Sequence, residues 1–195
     1  MTTTPGLRER KKAETRQAVY KAALRLVAEH GFDHVTVEAI ADAANISRRT
    51  FFNYFADKAD AVMYGEEQRH QLILAKFRAR PAGESSWPAL YRVAEEIYGE
   101  LGEPDRDWSL RIRLARRHPS LLARQLAGLG ALERELAQAI AERDGDHGLR
   151  PRVLAGAYLT TLRIATVVWL EEDQNRGLAE STMAALDELG RSFED

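Results

Sequence analysis

The segment NISRRTFFNYF, residues 45–55, combines side chains that can recognise bases with side chains that build a core. Arg48 and Arg49 can each pair with the edge of a guanine, and Asn53 can pair with an adenine. The ring of Phe52 can pack against a thymine methyl group. The face that these residues share is too apolar for a surface that meets only water and too charged for burial. Its chemistry therefore predicts contact with the major groove of duplex DNA.

Short helices must position this face. Gly31 ends a first helix, whose inner side carries Val19, Ala22, Ala23, Leu26 and Val27 at helical spacing. Thr36 can cap a second helix and Ser47 a third. Between these two helices lies Asn45, one of the few non-glycine residues that tolerate a left-handed turn. Two short helices joined by a tight turn predict a helix-turn-helix.

The same pattern divides the third helix into two faces. Phe51 and Phe55 are four residues apart and are predicted to pack on Ile40 and the first helix. Ala41 is small enough to let the two short helices cross closely, and Ile46 fills the turn. We expect these five residues to form the core of the motif.

Hydroxyl and ammonium groups around the turn are placed to contact phosphates. Ser47, Thr50 and Tyr54 offer hydroxyls, while Thr36 and Lys58 lie at helix starts, where backbone amides also attract anions. Upstream, the basic arm LRERKKAETR, residues 7–16, carries five cations against two acids. Such an arm suits a polyanion, although a solvated helix start explains it too. The alternative for the whole motif is a helical hairpin that docks a protein partner.

Residues 13–60 resemble the N-terminal domain of TetR-family transcriptional regulators. The matching features are the first helix ending in GF, the helix TVEAIADAA, the segment SRRTFFNYF and the DK that opens the next helix. Asn45 stands where the family usually has glycine. By this resemblance, DNA contacts fall on the following positions: Ser47, Arg48, Arg49, Thr50, Phe52, Asn53, Tyr54 and Lys58.

Nearly all of the chain of 195 residues has helical sequence patterns, which predicts an all-α fold. We expect a three-helix DNA-binding domain at residues 1–56 and a helical domain for effector binding and dimerisation at residues 57–195. A loop is predicted at residues 78–88 and a helix break at 102–105. The last helix is predicted to span 178–192. With no cysteine, no signal segment and no apolar run approaching membrane-spanning length, a cytoplasmic protein without membrane contact is expected.

The family resemblance implies that the second domain binds a small effector and forms a homodimer. The last two helices carry apolar stripes, which could serve a partner or only the core of the chain itself. The residues expected at the dimer interface are Leu159, Leu162, Val168 and Leu186. Effector candidates combine a polar tip with apolar neighbours, although ordinary packing explains such residues as well. These candidates are Tyr91, Trp108, Arg113, His118, Tyr158 and Arg163.

The segment HPSLLARQL, residues 118–126, resembles a subgroup of the family whose second domains bind acyl-CoA-like ligands. Its neighbouring cations, from Arg111 to His118, could hold the phosphates of such a ligand. They could equally be the basic end of a helix. The sequence therefore predicts an elongated apolar effector with an anionic head, and an acyl-CoA is the leading example.

A helical-bundle enzyme or an interaction module without DNA binding is the competing class. Glu67 and His70 have the helical spacing of a di-iron ligand pair. The second pair that such a site needs is matched only by Asp144 and His147, in a glycine-bearing loop. We therefore expect no catalytic site, no metal and no cofactor. The sequence predicts a ligand-responsive, DNA-binding repressor that acts at the nucleoid and leaves a palindromic operator when a small effector binds.

Overall fold

The computed structural model describes residues 6–101, 106–171 and 177–191, and within them it contains helices and no strand. The predicted all-α fold is confirmed. The predicted break at 102–105 and the predicted helix end at Ser192 lie outside the described residues. The helices are α1 (Leu7–His30), α2 (Val37–Ala43), α3 (Arg48–Phe52), α4 (Lys58–Ala79), α5 (Ser86–Leu101), α6 (Arg106–Arg117), α7 (Pro119–Asp144), α8 (Arg150–Glu171) and α9 (Leu178–Arg191).

The chain forms two compact units that do not follow one another along the sequence. The first unit contains residues 1–67 and 110–125, and the second contains residues 68–109 and 126–195. Helices α4, α6 and α7 each contribute residues to both units. The division at residues 56 and 57 remains a prediction about where the DNA-binding part ends along the chain.

The core of the first unit packs α1, α2 and α3 against the start of α4 and the middle of the chain. Val19, Ala23 and Ile40 are fully buried there, and Leu121 of α7 joins them. Asp57 caps α4, accepting a hydrogen bond from the Asp60 N–H at 2.7 Å. This core is what orients the two short helices.

The core of the second unit lies between α4, α5, α7, α8 and α9. Its largest fully buried side chains include Phe77, Leu136, Ile140 and Tyr158. Near the end of α7, the guanidinium of Arg143 donates to four backbone carbonyls, which belong to Phe77, Arg80, Pro81 and Glu84. Because these carbonyls lie at the end of α4 and in the following turn, this one side chain satisfies acceptors that the helix itself leaves open.

Helix α1 begins at Leu7, so the basic arm is the start of a helix, which is one of the two interpretations that the sequence left open. One other helix start differs from the sequence expectation. Helix α5 begins at Ser86, inside the predicted loop 78–88, and Pro88 lies in its first turn. Proline is compatible with a first turn because the amide that it lacks has no partner there.

Helix α8 is long and apolar enough to span a membrane by length and composition alone. The expectation that no segment approaches that length is therefore wrong for this helix. Nine of its residues, including Tyr158 and Trp169, are buried. Burial inside the second unit accounts for part of its apolar composition, while Val153, Ile164 and Val168 are exposed.

Candidate DNA-binding face and effector cluster

The turn between α2 and α3 has the geometry of a helix-turn-helix. Asn45 adopts a φ of 55°, the one positive φ at a non-glycine residue in the described part of the chain. Its N–H donates to the carbonyl of Asp42 at 3.0 Å, and the Ile46 N–H donates to the carbonyl of Ala41 at 2.9 Å. The prediction that asparagine makes this turn is confirmed.

Side-chain caps hold both short helices. The Ala39 N–H donates to Thr36 Oγ1 at 3.1 Å, and the Thr50 N–H donates to Ser47 Oγ at 3.0 Å. The hydroxyls of Ser47 and Thr50 lie 2.8 Å apart and share a hydrogen bond. Helices this short are unstable alone, so their caps and packing fix their ends.

The buried side of the motif matches the prediction. Phe51 and Phe55 are buried, as are Ile40 and Ala41. The regular part of α3 ends at Phe52, but the Phe55 N–H still donates to the carbonyl of Phe51 at 3.0 Å. This extra turn brings the two phenylalanine rings to 5.7 Å, which completes the core side of the helix.

The opposite side forms the recognition face, which we define by Arg48, Arg49, Thr50, Phe52, Asn53 and Tyr54. Phe52 exposes 46% of its surface, and Arg49 and Asn53 are also exposed. Arg48 Nε lies 2.8 Å from Glu38 Oε1, and its guanidinium lies 5.5 Å from the centroid of the Phe52 ring. An exposed ion pair of this kind contributes little, so a nucleic acid can displace it.

Lys58 is half-buried at the start of α4. Its ammonium donates to the carbonyls of Phe32 at 2.7 Å and Val35 at 3.1 Å, and it lies 4.4 Å from the centre of the Phe32 ring. These contacts anchor the turn that precedes α2. Because an ammonium has three donors, one remains for the predicted phosphate contact, which stays a prediction.

The basic arm meets the motif through Arg16. Its guanidinium lies 5.9 Å from the ring centres of both Tyr54 and Tyr64. The preceding cations are exposed, and Arg10 forms only an exposed pair with Glu14 at 3.5 Å. The arm therefore carries positive charge on the first unit. Within the described residues, no contact with another helix neutralises this charge.

A second group of functional interest lies in the second unit. We call it the aromatic cluster, and it consists of Arg69, Tyr98, Trp108, Tyr158 and Trp169. The guanidinium of Arg69 lies 4.7 Å from the ring centre of Tyr98 and 5.4 Å from that of Trp108. The rings of Trp108 and Trp169 lie 5.9 Å apart at 57°. Four aromatic rings and one cation are thus assembled from α4, α5, α6 and α8.

Three polar atoms of the aromatic cluster are buried without a hydrogen-bond partner among the described residues. They are Arg69 Nη2, Tyr158 Oη and Trp169 Nε1. Burial raises the pKa of Tyr158 well above its usual range, nearby Tyr98 raises it further, and Arg69 lowers it in part. A buried unsatisfied group costs about 1–3 kcal/mol, so each of the three would be stabilised by a hydrogen-bond partner from outside the described residues.

The other predicted effector residues lie elsewhere. Tyr91 donates to Asp187 Oδ1 at 2.7 Å, and this hydrogen bond raises the pKa of Tyr91 to about 12. Arg163 is exposed on α8. Arg113 is exposed in the first unit, where His118 packs on the ring of Phe32 at 5.3 Å. Of the six predicted residues, the structure brings only Trp108 and Tyr158 together.

Arg111 is the buried member of the predicted cation cluster. It is 2% exposed, donates to the Tyr20 hydroxyl at 3.1 Å and lies 3.8 Å from Glu66 Oε2. A Cβ on Gly65 would lie 2.6 Å from Arg111 Nη1, so the glycine makes room for the guanidinium. Arg113 and Arg117 are exposed instead. The cations of α6 therefore lie in different environments and do not form a single cluster of positive charge.

Comparison with known proteins decides the family. Residues 19–61 match the family described as bacterial regulatory proteins, tetR family, and residues 86–194 match the MftR C-terminal domain. The transcriptional regulator TcmR of Streptomyces glaucescens is 33% identical over 95% of this chain and 87% of its own length. The chain belongs to the TetR family.

Solved structures of TetR-family proteins share its fold. The complex of SmeT with triclosan covers 90% of this chain and 89% of its own, with a TM-score of 0.66 and 21% identity. SmeT represses a multidrug efflux pump of Stenotrophomonas maltophilia. FadR of Thermus thermophilus in complex with lauroyl-CoA covers 88% and 91%, with a TM-score of 0.52 and 24% identity. TetR-family members are ligand-responsive DNA-binding transcriptional regulators that act as dimers, and this chain is one of these regulators.

The dimer residues predicted for this TetR-family chain have different environments. Leu159, Leu162 and Leu186 are buried in the core of the second unit, so the chain itself already uses them. Val168 is 38% exposed, and Ile164, which the prediction did not include, is 48% exposed. Residues 164 and 168 are one helical turn apart and therefore share a face of α8.

Arg69 and Trp169 belong to the aromatic cluster, but the sequence prediction missed both as ligand residues. Arg69 lies four residues before Ile73 and eight before Phe77, and both of these are buried. An arginine at an inward position of an apolar helix stripe was the available signal. In the sequence, Trp169 looks like an ordinary core residue. Only the three-dimensional structure shows that its indole nitrogen lacks a hydrogen-bond partner among the described residues.

Proposed function

We propose that this TetR-family regulator is a homodimeric repressor that binds a palindromic operator through the recognition face. It would dissociate from the operator when an effector binds at the aromatic cluster. It would act in the cytoplasm on nucleoid DNA. Relatives in the comparisons are transcriptional regulators, which favours a chain without enzymatic activity. The individual contacts proposed here go beyond what membership of the family implies.

One observation carries the DNA-binding proposal. Within the seven residues from Arg49 to Phe55, Phe51 and Phe55 are buried while Arg49, Phe52 and Asn53 are exposed. A phenylalanine that stays 46% exposed beside an arginine and an amide suits base edges and thymine methyl groups. The basic arm adds phosphate contacts, which position the protein on DNA without reading sequence.

Binding to duplex DNA should depend steeply on salt. We expect the logarithm of the association constant to fall by about 0.9 per phosphate contact for each tenfold rise in salt, because bound cations displace counterions. Fluorescence anisotropy on fragments from the DNA around the gene measures this slope. An affinity that does not change with salt would contradict the electrostatic part of the proposal.

Neutralising the arm separates its contribution from that of the recognition face. A variant with Lys11→Gln and Lys12→Gln should show a salt slope that is smaller by about one unit for each phosphate that the arm no longer neutralises. Its preference for one fragment over another should stay unchanged, since phosphate contacts carry no base information. Arg78→Gln, which alters an exposed cation on α4, is the matched control.

The three unpartnered donors of the aromatic cluster carry the effector proposal. A folded protein seldom leaves such atoms unsatisfied, and their position among aromatic rings supports the proposal of a small-molecule site. The acyl-CoA hypothesis rests on the subgroup resemblance of residues 118–126, and it is the second candidate for the effector. Its supposed phosphate ligands lie on α6 in the first unit, where Arg111 is already engaged by Tyr20 and Glu66.

Dimerisation should depend on the exposed apolar face of α8. We expect Ile164→Glu and Val168→Glu to yield monomers, since each places a charge in an apolar contact that cannot hydrate it. Arg152→Glu, at an exposed position near the start of the same helix, is the control. Light scattering at micromolar concentration reports the mass. A wild-type monomer, or a dimer that survives both apolar substitutions, would contradict this assignment.

A further inference from the structure

The unsatisfied atoms of the aromatic cluster have one chemical property in common. Arg69 Nη2 and Trp169 Nε1 can only donate hydrogen bonds, and the hydroxyl of Tyr158 can donate as well as accept. A ligand that completed all three would have to present acceptors. Neutral donors such as amines would leave the guanidinium and the indole unsatisfied.

The positive charge of Arg69 narrows the class of ligand further. Arg69 is half-buried, and no carboxylate among the described residues forms an ion pair with it. Its contacts are instead with the faces of Tyr98 and Trp108. A cation that is partly removed from water, with no carboxylate paired to it among the described residues, favours an anionic partner, most strongly a carboxylate or sulfonate that takes two hydrogen bonds.

The shape of the surroundings indicates the body of the ligand. Trp108 and Trp169 meet at 57°, and Tyr98 and Tyr158 complete an aromatic wall around the same polar atoms. Flat aromatic faces pack best on another flat ring, in stacked or edge-to-face contact. A flexible acyl chain would also bury apolar surface against these rings. It has no flat ring, so it could not make stacked or edge-to-face contacts with them.

Resting on the effector role proposed above, we infer that the aromatic cluster takes a planar aromatic anion, whose acidic group meets Arg69 and Tyr158 and whose rings pack on Trp108 and Tyr98. The acid supplies acceptors that these two side chains lack among the described residues. The ring system supplies apolar area. The inference names a chemical class of ligand different from the acyl-CoA expected from sequence.

Two fluorescent probes that differ only in the acidic group test the inference. The anionic probe is 8-anilinonaphthalene-1-sulfonate, and the neutral probe is N-phenyl-1-naphthylamine, which lacks the sulfonate. Each is titrated against the full-length protein. We expect the wild type to bind the anionic probe about tenfold to a hundredfold more tightly, the range for a charge-assisted hydrogen bond.

Single substitutions test which residues cause the difference in affinity between the two probes. Arg69→Gln should remove the preference for the anion, while Arg78→Gln, an exposed cation on the same helix, should keep it. Tyr158→Phe keeps the ring and removes only the hydroxyl, so it should weaken the anionic probe about threefold to thirtyfold and leave the neutral probe unchanged. Trp169→Phe replaces the indole with a smaller ring, so it should weaken both probes. In the free protein, Tyr158→Phe should raise the Tm, since it deletes a buried hydroxyl without a partner.

The possible outcomes distinguish an error in the class of ligand from an error in the location of the site. If both probes bind equally, and both weaken in Trp169→Ala, the cluster is a ligand site but the anionic class is wrong. If neither probe responds to any substitution in the cluster, or if neither binds, the inference fails and the effector site proposed above fails with it. A Tm that falls in Tyr158→Phe would show a hydroxyl engaged in the free protein, which also overturns the inference.

Discussion

Phe51→Ala is expected to lower the free energy of unfolding by about 3–5 kcal/mol, because it opens a cavity where a fully buried ring now packs. The ring contacts Phe55 at 5.7 Å and Phe52 at 5.5 Å between centroids, so its loss also loosens the helix that carries the recognition face. Chemical denaturation followed by circular dichroism measures the change.

Arg49→Ala is the matched comparison on the same helix. Its side chain is exposed, so the unfolding free energy should stay within about 0.5 kcal/mol of the wild type. If Arg49→Ala unfolds the protein and Phe51→Ala does not, the two faces of α3 have been assigned the wrong way round.

Arg111→Ala is expected to cost about 3–5 kcal/mol of unfolding free energy, the range for removing one partner of a buried ion pair. The substitution removes a cation that lies 3.8 Å from Glu66, which is 12% exposed, and it deprives the Tyr20 hydroxyl of a donor at 3.1 Å. It also leaves an empty space beside Gly65. Thermal or chemical denaturation would report the loss.

Arg113→Ala, two residues further along α6, provides the control. Arg113 is exposed, so its removal should change the unfolding free energy by about 0.5 kcal/mol or less. Equal losses at the two positions would show that burial does not distinguish these arginines. An unchanged stability in Arg111→Ala would show that the buried contacts to Glu66 and Tyr20 contribute nothing.

Local patterns were sufficient to predict the helix-turn-helix. The caps at Thr36 and Ser47, the left-handed Asn45 and the burial of Phe51 and Phe55 all follow from residue type and spacing within a few positions. Interactions of this kind depend on neighbours along the chain, which a sequence shows directly.

The second unit could not be predicted to the same depth, because its contacts join distant parts of the chain. Arg69 and Trp108 meet across 39 residues, and nothing near either residue indicates the other. Arg111 and Arg113 look alike in sequence, yet a helical rotation of two positions buries one and exposes the other. Apolar stripes on α8 likewise predicted burial at Leu159 and Leu162 without saying whether the chain or a partner covers them.

The most direct test of the account is a footprint on DNA from around the gene, compared between the wild type, Arg49→Ala and Arg78→Ala. We expect a protected site of two-fold symmetry for the wild type. Arg49→Ala should lose about 1–3 kcal/mol of binding free energy at that site, while Arg78→Ala should bind as the wild type does. A site protected equally by all three proteins, or no protected site for the wild type, would contradict the central claim that the recognition face reads operator DNA.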